Sequence, residues 1–383
     1  MCLQALSARA SGILGLDMSD SLFTRIARIE LAPPRFLAMP AAGIDISTSG
    51  IKTAVLAERM GGLELIEYGE HLLPLSAVTG GEITDPVMVA KAIEEVARAH
   101  HVKFANIALS ESRSYLFEAK LEGDHRTASS VELRALTEQH IDEYIPLPPT
   151  EVAFDVIPVI TTETSMTVAG VGYARRVIEE SLATLDEAGI VTRAIESETF
   201  SMARALMPRT SRETVLIIDI GKTTTKLMVV TGQTPRFATT LDIGGHALTQ
   251  AVMKHFGVTE EEAKHVKAEK GLVSGDEQDE YVATMLITVS AIREEILRRL
   301  QYWQGRAEAG TNHEPVARVI LTGGNATVRG LPEYFETTLK LPVVLGDVFT
   351  NLASRDVWLP PLDYMESLAY ATAIGLALRD HQH

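Results

Sequence analysis

The chain has a single cysteine, Cys2, among 383 residues. One thiol excludes an intramolecular disulfide and fits a reducing compartment. Positive charge is also scarce. Lys and Arg number 35 against 51 Asp and Glu, a formal net charge of −16 at pH 7. That balance argues against nonspecific nucleic-acid binding and against an anionic membrane surface as main partner, because both present negative charge. No uncharged apolar run approaches the roughly 20 residues that span a bilayer. Residues 1–20 lack a positive cluster ahead of a long apolar core, so no signal peptide is expected and the chain is expected to be cytoplasmic. The histidines, including His100, His101 and His246, lack metal-ligand spacing. Low-complexity tracts and short-period repeats are missing too. What remains is an ordinary globular composition, 46% hydrophobic and 22% charged, in a chain long enough for two domains.

Residues 1–40 stand apart as an N-terminal tail. Ser21–Leu31 is weakly amphipathic, and Pro33, Pro34 and Pro40 prevent a continuous helix. The segment reads as a tail or an early start, with Met18 and Met39 as alternative starts, or else as a docking arm. Beyond it, Ala42–Ala57 and Leu63–Leu72 are strand-like, with Gly61-Gly62 as a hairpin turn. Asp85-Pro86 caps a helix to about His100. Residues from about 112 to 168 change rhythm. A strand at Ser114–Leu121 precedes the capping box Ser129-x-x-Glu132, which opens a helix expected to reach about Tyr144. Two further strands, Val152–Thr161 and Thr167–Tyr173, complete a compact α+β insertion. The second half alternates strands and helices, and Ala369–Arg379 closes it as a helix.

A phosphate-loop pattern occurs twice. Residues 43–52 read Gly-Ile-Asp-Ile-Ser-Thr-Ser-Gly-Ile-Lys, and residues 217–226 read Ile-Ile-Asp-Ile-Gly-Lys-Thr-Thr-Thr-Lys. Each places Asp after apolar residues, then a small-residue turn, then Lys. The spacing from Asp45 to Asp219 equals that from Lys52 to Lys226. Ser47, Thr48, Ser49 and Gly50 can turn amides and hydroxyls toward phosphate oxygens, and Lys52 can neutralise them. Gly221, Lys222, Thr223 and Thr224 offer the same in the second copy. Asp45 and Asp219 would be repelled by phosphate itself. They make sense through Mg²⁺ and its waters, since Mg²⁺ keeps much of its hydration shell. One copy alone fits an ordinary tight hairpin with a capping Asp; two at matched spacing point to a duplicated, two-lobed nucleotide binder. A third piece, Gly323, Gly324 and Asn325 after the buried strand ending Leu321-Thr322, opens a floor for a flat ring.

These three pieces, in this order, resemble phosphate 1, phosphate 2 and the adenosine motif of the actin-like ATPase superfamily. The stretches Ile195–Leu206 and Ala369–Ala377 resemble its two connecting helices. The insertion narrows the resemblance. Glu111–Phe117, the helix end Tyr144-Ile145-Pro146-Leu147-Pro148 and Glu151–Asp155 are similar to the PilM family of type IV pilus assembly, over roughly residues 41–380.

The resemblance implies an α/β, duplicated actin-like (ribonuclease H-like) two-lobed ATPase fold with an FtsA/PilM-type α+β inserted subdomain. It implies a first lobe from 41–111, 170–212 and 364–380, and a partner-binding insertion at 112–169. The second lobe would take 213–250 and 314–363, with a helical subdomain at 251–313. ATP and Mg²⁺ are the implied cofactors. The implied partner is the N-terminal cytoplasmic peptide of a PilN-type inner-membrane protein, seated in a groove lined from about 112–125 and 144–172. That partner would attach the chain indirectly to the inner face of the inner membrane; self-association stays open, and no nucleic acid is involved.

One departure stands out. Actin-like proteins often carry Glu-x-x-Lys against ribose and adenine. Here Lys267 matches the Lys, but Lys264 stands where Glu is expected, with Glu261 or Glu262 as substitutes if the helix is shifted. A Lys cannot accept hydrogen bonds from ribose hydroxyls. Hydrolysis needs a polar group to orient water. Glu198 is a candidate, beside Asp45 and Asp219, and each has a structural or metal-holding alternative. The resemblance also admits other readings, an FtsA-like cell-division filament protein, a small-molecule kinase of the same superfamily and an MreB-like filament, the last opposed by the inserted subdomain. The sequence ends at His383 without an FtsA-like amphipathic extension, which weighs toward the pilus reading.

Overall fold

The computed structural model describes residues 3–4, 41–272, 280–308 and 313–381. The amphipathic stretch Ser21–Leu31 lies outside them.

The first half opens with β1 (Leu3–Gln4), β2 (Ala42–Ser47), β3 (Gly50–Arg59) and β4 (Gly62–Leu72). The last three form an antiparallel meander in which Asp45 lies opposite Lys52. A short hairpin, β5 (Val78–Thr79) and β6 (Glu82–Ile83), leads to α1 (Pro86–Ala99). Met88 N donates to the Asp85 carboxylate at 3.0 Å, which satisfies one of the helix's orphan amides. Val89, Ile93 and Val96 turn inward at helical spacing, and β7 (Phe104–Leu109) then runs parallel to β2.

The insertion is β8 (Tyr115–Glu122), α2 (Ser130–Glu138), β9 (Val152–Thr161) and β10 (Ser165–Ala174). Its sheet order is β8-β10-β9, and its own core includes Phe117, Leu133, Ile141, Ile145 and Phe154. The capping box at Ser129 and Glu132 forms as expected. The helix does not reach Tyr144, however. It ends at Glu138, and Ile141–Glu143 rewinds as a 3-10 turn. That break lets Ile141 and Ile145 both enter the insertion core, each at 1% exposure. The chain returns through α3 (Arg175–Glu187), β11 (Val191–Ser197) and α4 (Glu198–Leu206). The completed first sheet has the order β1-β11-β7-β2-β3-β4.

The second half repeats the plan. It contains β12 (Thr214–Ile220), β13 (Thr225–Thr231), β14 (Thr234–Leu241), α5 (Gly245–Phe256), α6 (Glu260–Lys270) and α7 (Glu280–Glu308). β15 (Arg318–Thr322), α8 (Leu331–Leu339), β16 (Val343–Leu345), α9 (Tyr364–Ser367) and α10 (Ala371–Leu378) follow. Its sheet order, β14-β13-β12-β15-β16, matches β4-β3-β2-β7-β11 strand for strand. Asp219 lies opposite Lys226, as Asp45 lies opposite Lys52. The repeated motif therefore occupies equivalent places in two equivalent sheets.

Helices α4 and α10 cross where the halves meet. A Cβ on Gly375 would fall 1.8 Å from Ser201 O, so only glycine permits this approach. Beneath the crossing, Arg204 pairs with buried Glu196 (Nη2–Oε2 2.8 Å) and donates to Gly375 O at 2.8 Å. The closing helix starts later than expected. Leu368–Tyr370 is a 3-10 turn, because Leu368 O accepts from Gly323 N and Thr322 Oγ1, both at 2.9 Å, rather than feeding a helical ladder.

Candidate functional site

Both repeated turns open onto one cleft of about 600 Å³. The first contributes Ser47, Thr48, Ser49 and Lys52, and the second contributes Gly221, Lys222, Thr223 and Thr224. The two turns meet directly, Thr48 Oγ1 lying 2.8 Å from Thr223 Oγ1. Gly323, Gly324 and Asn325 line the same cleft, as do Asp45, Asp219 and Glu198. Gly323 holds φ +90°, and a Cβ there would lie 2.3 Å from Asp219 Oδ1, so the strand end packs closely against this carboxylate.

Two expected residues are not among the lining. Gly50 sits in the strand pair behind the first turn, opposite Ser47 and Leu72. Lys267 donates to Asn325 Oδ1 at 2.8 Å, Thr249 Oγ1 at 3.2 Å and Gly245 O at 3.4 Å. It braces the Gly-Gly-Asn loop from behind, and burial with repulsion from Lys264 pulls its pKa down to about 8. Lys264 pairs with Glu260 at 2.8 Å on an exposed helix face, while Glu262 caps α6 by accepting from Thr259 N at 2.9 Å.

The charged centre is Lys226. Its Nζ lies 2.7 Å from Glu198 Oε2 and 3.7 Å from Asp219 Oδ2. Burial disfavours its charge, but Glu198, Asp219 and Asp45 outweigh burial and hold it protonated well above the usual lysine range. Burial pushes Asp45 up to about 6 against the pull of Lys226 and Lys52, and raises Asp219 as well. Lys52 is shared differently, with Glu70 at 2.9 Å and Ser49 Oγ at 3.2 Å. Glu198 is held by three protein groups. Its Oε1 accepts from Glu111 N and from Ser110 Oγ (3.2 Å), and its Oε2 faces Lys226. Glu111 in turn accepts from Thr240 Oγ1, and burial lifts its pKa to about 7.

Lys226 and Glu111 were missed by sequence reasoning as site residues. Equivalence with Lys52 in the repeat could have found Lys226; Glu111 opens the stretch Glu111–Phe117 that carries the resemblance, but its contacts with Glu198 and Thr240 are not encoded there. Among the described residues, no group of three or more His, Cys, Asp or Glu is gathered to hold a metal by itself.

A second cavity, about 550 Å³, opens beside the insertion. Ser112–Tyr115, Leu147, Thr150 and Glu151 line it together with Ala174–Val177, Glu179 and Glu82. The insertion also touches the second half: Glu118 on β8 pairs with Arg236 on β14, and its Oε2 lies 3.2 Å from His313 Nε2. Among the described residues, no helix is long and apolar enough to cross a membrane.

A family model described as type IV pilus assembly protein PilM matches residues 43–381. Cell division protein FtsA of Escherichia coli (strain K12) is 25% identical over 187 residues, 42% of this chain and 42% of that protein. The match therefore spans less than half the length of that relative. Among solved structures, a chain of a PilM–PilN type IV pilus biogenesis complex is 20% identical, with a TM-score of 0.73 covering 90% of this chain and 99% of that one. MreB5 of Spiroplasma citri, solved bound to ADP, is 14% identical with a TM-score of 0.50, covering 82% and 94%. These likenesses establish the actin-like two-lobed fold that the repeated turns implied.

Proposed function

The chain belongs to the PilM family of type IV pilus assembly proteins, and from that premise we propose that it is an ATP-binding scaffold. ATP with Mg²⁺ occupies the cleft, and the groove beside the insertion takes the N-terminal cytoplasmic peptide of a PilN-type inner-membrane protein. The observation that carries this reading is the pairing of two cavities in one molecule. One is lined by two hydroxyl-rich turns that meet, the other in part by the inserted subdomain.

The donor types fit the ligands. Backbone amides and hydroxyls of residues 47–49 and 221–224 suit phosphate oxygens, and Lys52 supplies positive charge. Asp45 and Asp219 form an oxygen-only pair suited to a hard cation held through water and phosphate oxygens. The cation would neutralise charge between phosphate and protein; Lys226 and the two carboxylates would fix where it rests. Gly324 leaves open space beside the strand end, its nearest neighbour to an added Cβ being Ala369 Cβ at 3.8 Å. The groove offers Tyr115, Leu147 and Val177 as apolar contacts and backbone edges for an extended peptide. Such a partner would bring a cytoplasmic chain to the inner membrane. The three protein groups that hold Glu198 fix it in place as a structural tie, which favours the scaffold role over rapid hydrolysis.

The test is a calorimetric titration of the partner's N-terminal peptide with and without Mg·ATP. Micromolar-range binding is expected. Clear ATP binding with no peptide binding overturns the pilus-partner reading and leaves another actin-like scaffold or a kinase.

A further inference from the structure

One short turn forms the wall between the cleft and the groove. Ser110 and Ser112 line the cleft, and Ser112, Arg113 and Ser114 line the groove. The β5–β6 hairpin completes the wall, with Gly80 and Gly81 on the cleft side and Glu82 on the groove side. Turn and hairpin are tied together. Ser112 Oγ donates to Gly80 O at 3.1 Å, Arg113 Nε donates to the same oxygen at 2.7 Å, and Arg113 pairs with Glu82 at 3.3 Å.

The turn is fastened to both halves of the molecule. On the first, Glu198 accepts from Glu111 N and from Ser110 Oγ, while its other oxygen is held by Lys226. On the second, Thr240 Oγ1 of β14 donates to the Glu111 carboxylate. Lys226 itself belongs to β13 and faces Asp219 in the cleft. The groove wall therefore hangs on a lysine and a threonine that both line the cleft.

Resting on the nucleotide and peptide reading above, we propose that the Ser110–Ser114 turn couples the two cavities, with Glu198 as the positioning residue that transmits cleft occupancy to the groove wall. A polyphosphate gives Lys226 a competing anion, and a cation near Asp45 and Asp219 withdraws carboxylate charge from it. Either change alters the Lys226–Glu198 contact and with it the grip on Glu111 N. A change in the distance between the halves acts on the same turn through Thr240. Linkage is reciprocal, so peptide against Ser112–Tyr115 alters nucleotide affinity by the same factor.

The readout is the ratio of peptide dissociation constants without and with saturating Mg·ATP. Because the ratio is taken at saturation, a variant's weaker nucleotide affinity does not move it. The wild-type chain should shift at least about fivefold. Glu198→Gln, which keeps an acceptor for Glu111 N but loses the charge facing Lys226, should bring the ratio to within about twofold of one. Thr240→Val, which removes the hydroxyl held by Glu111 and replaces no charged side chain, should reduce it as well and carries the test if Glu198→Gln fails to fold. A wild-type ratio of one with both ligands bound overturns this coupling and leaves the functional reading standing, as does a full ratio retained in the variants. Absence of peptide binding to the wild-type chain removes both.

Discussion

Glu111 offers a sharp test of the electrostatics at the junction of cleft and insertion. It is 7% exposed, and burial raises its pKa from the usual 4.5 to about 7, with Thr240 opposing and Glu198 adding to the rise. A carboxyl whose folded pKa exceeds its unfolded one binds its proton more tightly when folded. Its contribution to stability is full below about pH 4.5 and is lost as pH rises through about 7. A gap of about 2.5 units at 1.36 kcal/mol per unit amounts to about 3 kcal/mol, of which about 2.5 kcal/mol is lost between pH 5 and pH 8. Glu111→Gln removes the titration and keeps a carbonyl oxygen for Thr240 Oγ1. The extra amide hydrogens cost about 1 kcal/mol if unsatisfied, but equally at both pH values. Guanidinium titrations of both proteins at pH 5 and pH 8, followed by circular dichroism, give the double difference, in which titrating groups that do not interact with Glu111 cancel. The variant should gain about 2.5 kcal/mol on the wild type across that range. A difference constant to within about 0.5 kcal/mol would refute the buried-carboxyl account.

Gly375→Ala drives a Cβ to 1.8 Å from Ser201 O, a backbone atom that cannot swing away, so α4 and α10 must separate. A loss of about 1–3 kcal/mol is expected in denaturant titration, whereas Gly324→Ala, with 3.8 Å to its nearest neighbour, should leave stability within about 0.5 kcal/mol. The two repeated lysines should separate in their effects. Lys226→Ala strands Glu198 at 5% exposure and should destabilise by about 3 kcal/mol. Lys52→Ala should cost little stability, since its partner Glu70 is 37% exposed, but should weaken nucleotide binding by about tenfold or more in calorimetry. Equal nucleotide affinity in Lys52→Ala and wild type would remove Lys52 from the phosphate site.

The parts of this molecule that were legible in the sequence are those encoded locally. Asp45-to-Lys52 and Asp219-to-Lys226 specify strand, turn and returning strand within one motif, so the Asp–Lys cross-strand pairing follows from local chain geometry. Asp85-Pro86 and the Ser129 capping box announce helix starts through their own side chains. Misplaced boundaries were set by distant partners. The helix after Ser129 stops at Glu138 because Ile141 and Ile145 are drawn to the insertion core, and the closing helix is delayed because Leu368 O is taken by Gly323 and Thr322. The contacts of Glu198 with Glu111 and of Glu111 with Thr240 join segments far apart in sequence, and no periodicity records them. The same distance effect breaks the symmetry of the repeat. Lys52 and Lys226 are equivalent in motif and register, yet one meets a half-exposed Glu70 and the other a buried Glu198. Lys226 is held by a carboxylate that water scarcely reaches, while Lys52 is held by one that water does reach, so the two pairs contribute unequally to stability. Two turns of equivalent register thus carry equivalent lysines in unequal surroundings, a difference that only the distant partners Glu70 and Glu198 create.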